Sequence, residues 1–162
     1  MREPTERQIE AFRRFLAELP YGKDQELVLL KGHILIEEQM RLVIDRRVRN
    51  PDALREANCE PDCRQAIALA QSFFPPDHEP WLWKALEKLN KIRNDIAHNI
   101  LPRQSLNDRI NAWVESVPSG YADWEDKTLR FEITLWSVFD AVSELVDTPS
   151  AEIIRLPPER AE

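Results

Sequence analysis

Apolar residues recur every three or four positions along most of this chain, a spacing that predicts helices burying one face each. The pattern is clearest late in the middle of the chain. There it comprises Leu82, Ala85, Leu86, Leu89, Ile92, Ile96 and Ile100. Twelve prolines separate the apolar runs, glycines number only three, and alternating strand-like sequence is scarce. We therefore expect an all-α protein, a bundle of about five to six helices around one core.

The breaks between apolar runs place the individual helices. The expected helices cover residues 5–19, 23–49, 61–74, 80–101, 105–116 and 123–146, with a short turn at 52–57. Thr5 is the expected N-cap of the first helix, and Pro80 suits the first turn of the fourth. Residues 1–148 would form a single domain. Residues 149–162, rich in proline and alternating charge, would form a C-terminal tail or arm.

Charge and hydropathy limit the function classes. A net charge of −7 argues against indiscriminate nucleic-acid binding but is compatible with a small basic cleft. Arg46, Arg47 and Arg49 end the long second helix, where we expect them to balance its carbonyl end rather than to bind RNA. The sequence has no run of about 18 apolar residues and no apolar signal core at its start, so we expect no membrane contact and a cytoplasmic location.

The spacing of the two cysteines and of His33 and His78 does not predict a metal site. Cys59 and Cys63 are four residues apart, but a zinc ion would need two more ligands and only His78 is close in sequence. A disulfide between them is disfavoured in the cytoplasm, and we expect Cys63 on the buried side of a short helix. His33 is expected to be a core or edge histidine. We therefore expect no metal ion and no cofactor.

Three polar residues lie near the end of the most regular apolar helix. A step of about 100° per residue places Arg93 inside the apolar stripe, where its charge needs an anion, a carbonyl or water. Asn94 and His98 are one turn apart on the polar side. His98 is the side-chain type that titrates nearest neutral pH. Arg93, Asn94 and His98 are called the Arg–His motif below.

Residues 89–99, with the sequence LNKIRNDIAHN, resemble the signature of the HEPN superfamily. That signature is an arginine, four to six residues and a histidine late on an apolar helix, with a polar residue beside the arginine. The sequence of residues 89–99 is most similar to that of the HEPN-like group that includes the mannitol-operon repressor-like proteins. The resemblance implies a HEPN-like bundle with two long antiparallel central helices, residues 23–49 and the motif helix. It also implies a homodimer in which two motifs converge in one cleft.

Resemblance to the catalytic members of the superfamily implies a metal-independent endoribonuclease of the toxin type. A ribose 2′-OH would attack the adjacent phosphate of an RNA substrate. His98 would act as general acid or base, Arg93 would stabilise the transition-state charge, and Asn94 would orient one of them. An acidic residue of the long upstream helix, Glu37 or Glu38, would support the arginine. An antitoxin or another protein partner would accompany such an activity.

Many HEPN-like proteins are interaction modules. The function we expect first is therefore not the endoribonuclease but a non-catalytic or weakly catalytic regulatory or interaction domain, in a toxin, stress or defence system or in transcription regulation. The nuclease is the alternative. If the motif is structural, Arg93 would bridge Glu37 or Glu38 inside the helix pair. Asn94 and His98 would then cap carbonyls at the helix end.

Overall fold

The computed structural model describes residues 3–118 and 125–149, and within them the chain forms seven α-helices and no strand. The helices are α1 (Glu6–Glu18), α2 (Gln25–Arg47), α3 (Pro51–Glu56), α4 (Cys63–Ser72), α5 (Pro80–His98), α6 (Arg103–Ser116) and α7 (Lys127–Asp147). The all-α prediction is confirmed, and the seventh helix is the six-residue α3, expected as a turn. Of the predicted tail, all but Pro149 lies outside the described residues. None of the described helices combines the length and apolar character needed to cross a membrane.

Local sequence signals set where helices begin and end. Thr5 caps α1 as predicted, since its hydroxyl accepts from the Gln8 amide at 3.2 Å while the Gln8 side chain accepts from the Thr5 amide at 2.7 Å. α5 begins at Pro80, also as predicted. It ends at His98, earlier than expected, because Asn99 is already extended before the chain reaches Pro102. The prediction that Ile100 lies on a buried face is therefore wrong, and its side chain is fully exposed.

α2 is the central helix and runs parallel to α7. Near its start the Gly22 amide donates to the Glu132 carboxylate in the first turns of α7, at 2.6 Å. At its end Arg47 donates to the carbonyl of Leu145 near the end of α7, at 2.8 Å. The buried side chains of α2 cover about half of its circumference. Leu27, Ile34 and Leu42 are exposed on the other half, which explains why the α2 sequence shows little amphipathic pattern.

α5 packs on another side of α2 in the opposite direction. Asp24, at the start of α2, accepts from Arg103 just beyond the end of α5, and His33 contacts Asn90 further back along it. The expected antiparallel pair of long helices is thus present. However, α2 packs more extensively on α7 than on α5, so three long helices share the centre of the bundle. This arrangement places the end of α5, with the Arg–His motif, at the edge of the core.

Candidate functional site

Arg93 lies on the angular side of α5 that faces the core, yet its side chain is exposed. Its Nη1 donates to Oδ1 of the neighbouring Asn94 at 3.1 Å. The buried part of α5 ends close to Arg93: Ile92, the residue before it, is buried, but Ile96, three residues after it, is only half-buried. The charge of Arg93 therefore reaches water, one of the three partners expected for it, because the angle around a helix does not fix the depth along it.

Neither candidate acidic residue pairs with the motif arginine among the described residues. Glu37 accepts from Arg41 at 2.6 Å, as their i, i+4 spacing predicts. Glu38 accepts from Arg14 of α1, also at 2.6 Å. The structural interpretation in which Arg93 bridges Glu37 or Glu38 is wrong. Because its guanidinium is exposed and neutralised by no carboxylate of the described chain, it can bind an anion from outside.

The other two motif residues also do not serve the fold. Asn94 is half-buried and His98 is exposed as the last residue of α5. Within the described residues neither donates to a helix-end carbonyl, so the expected capping is not seen. α5 is uninterrupted from Arg93 to His98, and their side chains therefore leave the helix about 140° apart. One copy of α5 cannot direct both side chains at the same phosphate.

A groove between α5 and α6, with two lysines at its edge, adjoins the motif and was missed by the sequence reasoning. It has a volume of about 530 Å³ and is lined by Lys88, Lys91, the Asp95–Arg109 pair and the apolar side chains of Ile92, Ala112 and Trp113. Lys91 and His98 are seven residues apart, close to two full turns, so they share one face of α5. The signal that could have revealed the groove was the i, i+3 pair of lysines, but Arg109 belongs to a different helix and its proximity depends on the tertiary fold.

The second basic cluster considered from the sequence is mostly part of the fold. Arg46 pairs with Asp147 at 2.7 Å, while Arg47 donates to two carbonyls at the end of α7 and lies over the Phe74 ring. Burial lowers the pKa of Arg47. These two arginines join α2 to α7, and they are not free to bind RNA. The expected partner was the carbonyl end of α2, but the carbonyls that accept from Arg47 belong to the end of α7.

A polar cluster lies inside the bundle one turn before Arg93. His33 is buried, as expected for a core histidine, with Nε2 3.3 Å from Oδ1 of Asn90 and 3.6 Å from Sγ of Cys63. Its Nδ1 is 3.7 Å from Oε2 of Glu37. Burial lowers the pKa of His33, although Glu37 and Asn90 act in the opposite direction. Burial, assisted by Glu37, raises the pKa of the Cys63 thiol to about 12. Both residues are therefore neutral near pH 7.

The remaining residues of the predicted cysteine region are separate from this cluster. Cys59 and Cys63 are free thiols, and Cys59 is exposed. His78 stacks on Phe74 with ring centroids 5.0 Å apart, and its carbonyl accepts from Trp83. His78 is thus occupied in packing, and it does not join Cys63.

Comparison of this chain with protein-family models, with curated proteins and with solved structures gave no match. The HEPN-like assignment stays a prediction that depends on the Arg–His motif and its position late on an apolar helix. Helical bundles support many unrelated functions, so the functional argument has to come from the site itself.

Proposed function

We propose that this chain is a HEPN-like domain that binds RNA at the Arg–His motif and, as a homodimer, cleaves it without a catalytic metal ion. The observation that carries the proposal is that Arg93 and His98 are exposed and that the fold uses neither. The interaction domain, expected first from the sequence, rested on the behaviour of many HEPN-like proteins and on the acidic charge of the chain. The exposed guanidinium argues only against the alternative in which Arg93 is a structural bridge to Glu37 or Glu38.

The chemistry requires a proton-transfer group and a cation at one phosphodiester. The ribose 2′-oxygen would bond to phosphorus while the bond to the 5′-oxygen breaks, which yields a 2′,3′-cyclic phosphate and a 5′-hydroxyl. His98 would accept the 2′-proton or donate one to the leaving oxygen. Arg93 would donate to the non-bridging oxygens as charge accumulates on them. Asn94, already bonded to Arg93, would restrict the orientation of the guanidinium.

A second copy of the chain would solve the geometric problem of the single helix. Because Arg93 and His98 point about 140° apart, a compact site needs Arg93 of one copy beside His98 of the other. Ile100, two residues beyond His98, is an apolar side chain that is 103% exposed. A dimer contact at the end of α5 would cover it. Lys88 and Lys91 of the adjoining groove would then hold the flanking RNA backbone.

Cleavage of a labelled, structured RNA in excess EDTA tests the proposal. Wild-type protein should cleave, and His98→Ala and Arg93→Ala should each lose about 10²-fold or more in rate, the usual effect of removing a general acid–base group or a transition-state donor. Arg13→Ala is the matched control, because Arg13 is an exposed arginine on α1, a helix that packs mainly on α7 and α2 rather than on α5. It should cleave at the wild-type rate.

Circular dichroism should show that all three variants stay folded, because each residue replaced is exposed. Wild-type protein that is dimeric and folded but inactive would contradict the proposal. So would cleavage that persists in His98→Ala, which would point to a contaminating nuclease.

A regulatory interaction domain is the second candidate, and the charge of the chain favours it. The net charge of −7 opposes binding of a polyanion such as RNA, and the continuous α5 directs Arg93 and His98 to different sides of the helix. In that case the same surface would bind an acidic segment of a protein partner such as an antitoxin. Wild-type protein would bind RNA or that partner through Arg93 but would not cleave, and His98→Ala would behave like wild type.

A further inference from the structure

We propose that His33, Glu37 and Cys63 form a zinc site that joins α2 to α4. One ligand atom from each residue can be chosen so that all three lie within 4.8 Å of one another. The set combines an imidazole, a carboxylate and a sulfur, the donor types that zinc uses in proteins. His33 and Glu37 are one turn apart on α2, and Cys63 is the first residue of α4. This set differs from the sequence-near group of Cys59, Cys63 and His78.

The distances suit a zinc ion with little rearrangement. Zn–N bonds of about 2.0–2.1 Å and Zn–S bonds of about 2.3 Å place the ligand atoms of a tetrahedral site roughly 3.3–3.8 Å apart. His33 Nε2 and Cys63 Sγ are already 3.6 Å apart. The Glu37 oxygen that lies 3.7 Å from Nδ1, the other ring nitrogen of His33, must turn towards the Nε2 side, and rotation of its partly exposed side chain supplies that movement.

The space between these residues fits a single ion and excludes an organic substrate. A cavity of about 10 Å³ is lined by the three side chains and by apolar side chains of α2, α4 and α5. That volume is roughly what one water-sized sphere occupies. A Cys–His–Glu hydrolase site is the competing reading of the same residues. The cavity between the three side chains is too small to hold an acyl group in contact with both Cys63 and His33.

Charge balance and neighbouring contacts also suit a divalent cation. Bound zinc would displace the Cys63 proton, and the resulting thiolate and the Glu37 carboxylate would together neutralise its two positive charges. Arg41 holds one Glu37 oxygen at 2.6 Å, which leaves the other oxygen facing His33. Oδ1 of Asn90, 3.3 Å from His33 Nε2, is positioned to be the fourth ligand or to hold a water in that place.

Cobalt and zinc titrations of metal-free, reduced protein test the site, with Cys63→Ser compared against Cys59→Ser. Wild type and Cys59→Ser should bind one Co²⁺ per chain with a thiolate-to-cobalt charge-transfer band and the visible bands of a tetrahedral site. Zn²⁺ should displace the cobalt and raise Tm. Losing an outer-shell partner alone weakens metal binding roughly 10- to 100-fold, so Cys63→Ser should bind at least about 100-fold more weakly, with no charge-transfer band.

Glu37→Gln gives a second, independent reading, because it should keep the charge-transfer band while weakening binding about 10-fold or more. Wild-type protein that is folded and reduced but shows no such band would overturn the proposal. Loss of the band in Cys59→Ser, or its retention in Cys63→Ser, would do the same. The site is independent of the proposed RNA chemistry: Cys63→Ser should lose zinc and keep cleavage, whereas His98→Ala should keep zinc and lose cleavage.

Discussion

At the scale of single residues, the Asp147 carboxylate of α7 is shared by groups from two other helices. Its carboxylate accepts from the Thr5 hydroxyl at 2.7 Å, from Arg7 Nε at 2.9 and 3.0 Å, and from Arg46 at 2.7 Å. Burial acts to raise the pKa of Asp147, but the hydrogen bonds from Arg7 and Thr5 and the two arginine charges exceed that effect and lower it. One side chain thereby connects the ends of α1, α2 and α7.

Asp147→Asn should destabilise the protein at pH 7 by about 2–3 kcal/mol, since it removes the charge from a largely buried ion-pair network. A carboxyl whose pKa is lower in the folded state stabilises above its unfolded pKa of about 3.9, and that contribution is lost as pH falls through the folded pKa. The difference between variant and wild type should therefore shrink below about pH 4. Urea unfolding at pH 7 and pH 3 measures this difference in the free energy of unfolding.

Asp52→Asn is the matched control for this prediction. Asp52 also pairs with an arginine, Arg55, at 2.7 Å, but its side chain is 74% exposed. It should change stability by no more than about 0.5 kcal/mol at either pH. Equal stabilities of Asp147→Asn and wild type at pH 7 would show that the network contributes nothing net.

Residue-scale sequence reasoning gave the direction of Arg93 but not its exposure. The helical period predicts which way a side chain points, and Arg93 does lie in the stripe. How far the core extends along α5 depends on where the other helices end, which is tertiary information. For the same reason the His33, Glu37 and Cys63 cluster could not be found from spacing, since α4 approaches α2 only in the fold.

At the scale of elements, α2 and α7 approach each other closely at Gly32 of α2. A Cβ built there would lie 2.9 Å from Cδ1 of Leu135 on α7, and Leu135 is fully buried. The absence of a side chain at this position lets α2 and α7 pack closely along their shared direction. This close packing explains why a glycine occupies position 32 in the interior of a helix, where glycine normally costs about 1 kcal/mol relative to alanine.

Gly32→Ala should destabilise the protein by about 1 kcal/mol, because crowding against Leu135 outweighs the gain in helix propensity. The same change in a Leu135→Ala background should be neutral or stabilising, since the cavity then accepts the methyl group. A double-mutant cycle by urea unfolding should give a coupling above about 0.5 kcal/mol. Additive effects of the two substitutions would contradict the close approach.

The starts of helices with strong local sequence signals were predicted well, but the helices against which they pack were not. Thr5 and Pro80 mark helix starts by hydrogen-bonding and steric rules that act within a few residues. The parallel packing of α2 on α7 has no such signal, because it joins residues that are far apart in the chain. The expected pair of central helices was therefore incomplete.

At the scale of the whole molecule, one core draws buried side chains from every helix except α3, and the Arg–His motif lies at its edge. The single chain presents Arg93 and His98 in different directions, so the proposed activity belongs to an assembly of two chains. The motif gave a resemblance to the HEPN superfamily, and that assignment stays a prediction. The homodimer was expected from the same resemblance, and the continuous α5 adds a geometric reason to propose it.

The most direct test of this account mixes two inactive variants, Arg93→Ala and His98→Ala, under conditions that let dimers exchange. If each site takes Arg93 from one copy and His98 from the other, half of the dimers would be mixed and each would contain one intact site of two. RNA cleavage in EDTA should then return to about a quarter of the wild-type rate. A mixture as inactive as either variant alone, with exchange verified, would contradict a shared site.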